Sequence, residues 1–158
     1  MKKVLKGGTV VGGSGSVRAD VLIDGEKVAA VGTSGEMERL ADEDTQIVDV
    51  EGCLLFPGFI DAHTHFDLHV AGTVTADDFA TGTRAAVRGG TTTIVDFGTQ
   101  YEGESLADGL RNWHEKADGK CSCDYGFHMS ISDWNPIGQQ GSFNDMMEEG
   151  NHLPLSCT

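Results

Sequence analysis

Hydrophobic positions along the chain follow two different grammars, with the change at Leu54. Residues 1–55 read as short apolar strands punctuated by glycine. Thr9-Val10-Val11 runs into the turn Gly12-Gly13-Ser14-Gly15, and alternation then appears at Val17, Ala19, Val21 and Ile23. Period-two spacing of this kind puts one set of side chains on one face of a strand. Asp24-Gly25 interrupts it and is a strong hairpin signal, because glycine supplies the positive φ of a tight turn. Val28-Ala29-Ala30-Val31 forms the returning strand, Glu36 to Ala41 a short helix, and Gln46 to Val50 a further strand. This region predicts one sheet of a small all-β unit.

From Leu55-Phe56-Pro57-Gly58-Phe59-Ile60 into Asp61-Ala62-His63-Thr64-His65 the order becomes strand, helix, strand, helix, strand. Asp77 to Arg88 has helical spacing, with Thr75 or Asp77 as N-cap and Gly89-Gly90 as the stop. Thr91 to Phe97 is a β-branched, largely apolar run of the kind a parallel sheet buries on both faces. Ser105 to Ala117 is the next helix, and Asp124 to Ile131 is the third strand. Strands alternating with helices of this length make βαβ units. Three such strands begin either a doubly wound sheet or a barrel, and periodicity alone does not choose.

Composition narrows the class. The 158 residues suffice for a sizeable core, and 39% hydrophobic with 23% charged residues describes a soluble globular chain. A net charge of −14 argues against a nucleic-acid partner and against an anionic membrane surface, since both need clustered Lys and Arg. Met1-Lys2-Lys3-Val4-Leu5 briefly imitates a signal peptide, but Lys6-Gly7-Gly8 ends the apolar run. No segment approaches the ~20 apolar residues of a membrane span, so a cytoplasmic location is expected. The cysteines Cys53, Cys121, Cys123 and Cys157 show no C-x-x-C spacing. Cys121 and Cys123 would share a strand face and admit a weak metal site, but reduced thiols packed as small hydrophobes are the commoner use.

His63 and His65 stand two apart at the end of a strand, so both side chains leave the same face. Two imidazoles projecting together can share one zinc ion, each at about 2.0–2.1 Å. Alone, such a pair more often marks two structural histidines. Its setting changes the balance. Pro57-Gly58-Phe59-Ile60-Asp61-x-His63-Thr64-His65 joins a glycine-rich β unit to the first strand of a βα series. That combination resembles the amidohydrolase superfamily, whose first barrel strand carries an H-x-H metal pair after a small β-sandwich. Further blocks resemble its dihydropyrimidinase and D-hydantoinase branch: Gly72-Thr73-Val74-Thr75-Ala76-Asp77-Asp78-Phe79, Gly82-Thr83-Arg84-Ala85-Ala86, Gly89-Gly90-Thr91-Thr92-Thr93 and Val95-Asp96-Phe97. Trp113-His114-Glu115-Lys116-Ala117 and Asp124-Tyr125-Gly126-Phe127-His128 extend the likeness almost continuously to about residue 150.

The resemblance implies an α/β fold: a partial (β/α)8 TIM-type barrel, its first three βα strands within residues 56–150, preceded by a β-sandwich segment in residues 1–55. It implies a binuclear metal site, usually zinc, with His63 and His65 on one metal and a carboxylated lysine of strand four bridging both. Histidines of strands five and six and an aspartate of strand eight would complete that site. The implied activity is metal-dependent hydrolysis of a small cyclic amide or ureide. Dihydropyrimidine or hydantoin rings would open to N-carbamoyl amino acids, in a protein whose full-length form is a homo-oligomer. The loop from Asp67 to Gly72 resembles the segment that walls the substrate's side chain, with Leu68 and Val70 as apolar contacts. His69 is expected to be exposed, His114 solvated, and His128 a hydrogen-bonded core histidine. Asp96 either supports the metal ligands or makes a structural hydrogen bond.

The resemblance stops after Gly150. The family continues into a strand like Ile-Thr-Ser-Phe-Lys-Leu-Tyr-Met, whereas residues 151–158 read Asn-His-Leu-Pro-Leu-Ser-Cys-Thr, and no lysine follows Lys120. A permitted codon set for Pro154 to Thr158, CCT TTA AGC TGT ACA, yields Phe-Lys-Leu-Tyr when read from its third base. The tail thus reads as a frame-shifted version of the strand that carries the lysine. On that reading the chain is truncated, its catalytic residues beyond the histidines are missing, and it is inactive alone with an open, aggregation-prone sheet edge. The alternative is a non-catalytic, scaffold-type homologue of the same fold, against which the intact histidine pair counts.

Overall fold

The computed structural model describes residues 1–33 and 35–133, and the divergent segment 151–158 lies outside them. The chain forms two compact units, Met1–Pro57 and Gly58–Thr158.

The first unit contains β1 (Lys2–Lys6), β2 (Thr9–Gly12), β3 (Gly15–Arg18), β4 (Asp20–Asp24), β5 (Lys27–Gly32), a 3-10 turn (Met37–Leu40), β6 (Gln46–Asp49) and β7 (Leu54–Leu55). Where one sheet is expected there are two, ordered β5-β4-β1-β6 and β3-β2-β7. The alternation from Val17 to Ile23 is not one strand. It breaks at Ala19, whose N–H donates to the Gly8 carbonyl at 3.1 Å. β3 stays with β2, and β4 turns to β1. The hydrophobic period survives the break, so the sequence hides it. Lys2-Lys3-Val4-Leu5, the signal-like start, is instead an interior strand, antiparallel to β4 and parallel to β6. The Asp24-Gly25 hairpin forms as expected between β4 and β5, with Gly25 at φ +62°.

Val4, Leu22 and Met37 make the buried core of this unit. Beside it lies a buried carboxylate. Asp20 accepts the Gly7 N–H on Oδ1 at 2.8 Å and the Gly35 N–H on Oδ2 at 2.9 Å. The Gly7 bond above all holds the Asp20 carboxyl below the usual carboxylate range.

The second unit contains β8 (Phe59–Thr64), the short hairpin β9 (His69–Val70) and β10 (Thr73–Val74), α1 (Phe79–Arg88), β11 (Thr91–Thr99), α2 (Leu106–Ala117) and β12 (Asp124–Ser130). Strands β8, β11 and β12 form a parallel sheet with β11 in the middle, joined through α1 and α2. The N-cap of α1 is Asp78, rather than Thr75 or Asp77. Its carboxylate accepts the Thr81 N–H at 2.8 Å, and the Thr81 hydroxyl accepts the Asp78 N–H at 3.2 Å. The two expected caps are occupied across the preceding loop. Thr75 Oγ1 accepts the Leu68 N–H at 3.0 Å, and the Asp77 carbonyl accepts the Asp67 N–H at 2.9 Å.

Both helices cover the same face of the sheet. Phe79 of α1, Ile94 of β11, Trp113 and Ala117 of α2, and Cys123 form one buried cluster. Along β11, buried Ile94, Asp96 and Gly98 alternate with half-buried Val95, Phe97 and Thr99. The burial of Thr91 to Phe97 on both faces is therefore not met: among the described residues only one face is covered. Cys121 and Cys123 precede β12 and do not share a strand face. Both pack on the helix-side cluster, and burial pushes the Cys123 thiol up. Among the described residues, no helix is long and apolar enough to cross a membrane.

Candidate functional site

The sheet face opposite α1 and α2 carries the histidines. His63 and His65 are exposed at the C-terminal end of β8, the end at which parallel α/β sheets bind ligands. Their Nε2 atoms stand 3.1 Å apart and their rings meet edge to face. Phe97 of β11 packs against both, with ring centroids 4.5 Å from His63 and 5.3 Å from His65. His128 pairs with Phe97 in the β11–β12 register and its ring lies 5.1 Å away. It is exposed, so the expected core histidine is in fact a surface group on the same face as the pair.

The other face of β11 supports the segment around His65. Asp96 is fully buried. Its Oδ2 accepts the Thr64 hydroxyl at 2.7 Å and the Phe66 N–H at 2.9 Å, and its Oδ1 accepts the Trp113 indole N–H at 3.1 Å. Lys116 donates to the Asp67 carbonyl at 2.7 Å while its Nζ sits 4.1 Å above the Trp113 ring. Asp61 accepts the His63 N–H at 3.2 Å.

The remaining expected residues are scattered. Leu68 is half-buried and packs on the helix-side cluster, whereas His69 and Val70 are exposed on β9. The β9–β10 hairpin lines an open hollow through His69, Val70, Thr73 and Val74. Its two turn residues, Ala71 at φ +50° and Gly72 at φ +77°, both take the left-handed conformation of a tight hairpin. His114 is half-buried rather than solvated. Its Nδ1 lies 3.0 Å from the Asp118 carboxylate and its ring meets the Phe127 edge at 5.1 Å.

Two imidazole nitrogens 3.1 Å apart suit two arrangements. One is an N–H···N hydrogen bond between neutral rings. The other is a shared metal: tetrahedral zinc with bonds of about 2.0–2.1 Å spaces adjacent ligands about 3.3 Å apart. The donor pair thus fits two corners of a zinc shell. Among the described residues no group of three or more His, Cys, Asp and Glu could hold a metal ion.

The amidohydrolase family model matches residues 54–141. The D-hydantoinase of Streptomyces coelicolor is 48% identical over 134 residues, which is 85% of this chain and 29% of that protein. Dihydropyrimidinase 1 of Caenorhabditis briggsae is 43% identical over 135 residues, 84% of this chain and 27% of its own length. Among solved structures, dihydropyrimidinase from Brevibacillus agri superposes with a TM-score of 0.84 at 47% identity, covering 95% of this chain and 31% of that one. The α/β fold is similar to theirs, and the chain spans less than a third of the length of these relatives.

Proposed function

Since this chain belongs to the amidohydrolase family, we propose that it serves the metal-dependent opening of small cyclic amides, of the dihydropyrimidine and hydantoin kind, to N-carbamoyl amino acids. The observation that carries the reading is the His63–His65 pair, with Nε2 atoms 3.1 Å apart on the sheet face opposite α1 and α2. In this reading β8, β11 and β12 are the first three strands of a (β/α)8 barrel, and Met1–Pro57 belongs to a β-sandwich. Two helices on one face are also what one half of a doubly wound sheet presents, so the barrel reading rests on the family match.

His63 and His65 would hold one zinc ion through Nε2. Bound there, zinc supplies Lewis acidity toward a carbonyl oxygen and lowers the pKa of water. Phe97 packs on both rings and keeps water from one side of the pair. Val70 would meet the substrate's substituent, with Leu68 anchoring the loop to the core. Zinc sites take three or four protein ligands as a rule, so turnover draws on ligands beyond the described pair. Homo-oligomeric assembly and a cytoplasmic location belong to the same reading.

The test is elemental analysis of the chain purified with zinc, beside the His63→Ala/His65→Ala double variant. The reading expects zinc in the parent and its loss in the variant. Equal zinc in both proteins would remove the metal role from the pair.

A further inference from the structure

We propose that Asp96 is a positioning residue for the histidine pair, holding His65 where the β8–β11 ladder stops. The inference rests on the metal reading of His63 and His65 given above. Asp96 stands opposite Thr64 at the last register position of that ladder. His63 lies within the paired strand, but His65 lies one residue past it. There the backbone has no partner strand to fix it, and the Asp96 carboxylate takes over. Its Oδ2 holds Thr64 and Phe66, the residues on either side of His65. Its Oδ1 is tied to Trp113, which is fully buried in the core cluster. Lys116 adds a second hold on the same stretch, reaching from α2 to the Asp67 carbonyl.

The chemistry of the position selects a carboxylate. A backbone N–H and an indole N–H can only donate. One faces each oxygen of Asp96, and neither can turn round. An aspartate accepts on both sides. An asparagine of the same shape accepts on one side and must aim its NH2 at a donor on the other. The isosteric change Asp96→Asn therefore releases either the Phe66 amide or the Trp113 indole without altering packing volume.

The full chain is the test object, with Asp96→Asn, Thr64→Val and Leu106→Ala. Thr64→Val deletes one of the two Oδ2 bonds and carries the test if Asp96→Asn fails to fold. Leu106 is buried in α2 outside the cluster, so Leu106→Ala loosens the unit while leaving the Asp96 bonds in place. Two signals are read: the ring-to-ring nuclear Overhauser effect between His63 and His65 in metal-free protein, and Co2+ affinity by visible absorption. Asp96→Asn is expected to lose the ring contact and roughly 10–100-fold in Co2+ affinity, the usual effect of removing a ligand's support. Thr64→Val should show a smaller loss of both, and Leu106→Ala should keep both despite a lower melting temperature. Wild-type signals in folded Asp96→Asn and Thr64→Val would overturn the proposal, as would an equal loss in Leu106→Ala. If His63→Ala/His65→Ala binds Co2+ like the parent, the metal reading fails, and the metal-free ring contact still decides the role of Asp96.

Discussion

Replacing Asp20 by asparagine should loosen the first unit by about 2 kcal/mol. Its two oxygens each accept one backbone N–H, from Gly7 and from Gly35. An asparagine keeps one of these bonds and points its NH2 at the other donor. A donor left unpaired in a buried place costs about 1–3 kcal/mol. Gly7 and Gly35 are half-buried, so water offsets part of this and the middle of the range applies. About 2 kcal/mol corresponds to roughly 30-fold in an opening equilibrium. The assay is amide hydrogen exchange at Val4 and Leu22, core positions of this unit. Tryptophan is absent from Met1–Pro57, so tryptophan fluorescence, from Trp113 and Trp134, serves as a control from outside that unit. The pH dependence has a definite sign. The Asp20 carboxyl is depressed in the folded chain, so its stabilisation is present above the unfolded value of about 3.9 and lost as pH falls through the lower folded value. The parent's advantage over Asp20→Asn should stay level near neutrality and shrink below about pH 4. Equal exchange rates at neutral pH, or a gap that persists into strong acid, would refute this account.

Two further expectations concern a close approach in the second unit and the relative exposure of two thiols. Gly82→Ala would drive a Cβ into the Phe66 ring, beside the His65 segment, so a loss of about 1–3 kcal/mol is expected in thermal melts followed by tryptophan fluorescence. An unchanged melting temperature would show that the Phe66 ring moves aside freely. Thiol alkylation with peptide mapping should label exposed Cys53 quickly and Cys123 slowly, since burial raises the Cys123 pKa and depletes its thiolate. Equal labelling rates would contradict the burial.

Sequence pattern located most elements of the second unit, because its strands and helices each carry their own period. The Asp24-Gly25 turn was legible for the same local reason. Sheet membership in the first unit was not: alternation continues through Ala19 although the chain changes partners there. The choice among Thr75, Asp77 and Asp78 as helix cap was equally invisible, since all three can cap and only the loop back to Leu68 and Asp67 decides. The histidine pair could be read from its spacing. Asp96 could be singled out with its role open, but Phe97 and His128 could not be placed beside the pair, because they join it only through the register of β11 against β8 and β12. Adjacent residues Asp96 and Phe97 serve opposite faces, one from beneath and one from the side of the rings.

Strand order also bears on how the chain assembles. β8, β11 and β12 pair in the order in which they are synthesised, each meeting a partner only one helix away. Each pairing closes a loop of about thirty residues, since Thr91 meets Phe59 and Asp124 meets Thr93. The first unit works the other way: β1 is made first, yet Lys3 must wait for Gln46 before its parallel partner exists. That parallel pairing is the last of its sheet to become possible, while the sheet of the second unit extends outward from β8. His63 and His65 are thus laid down on the founding strand, and the Phe97 and Asp96 side chains that hold them arrive with the next.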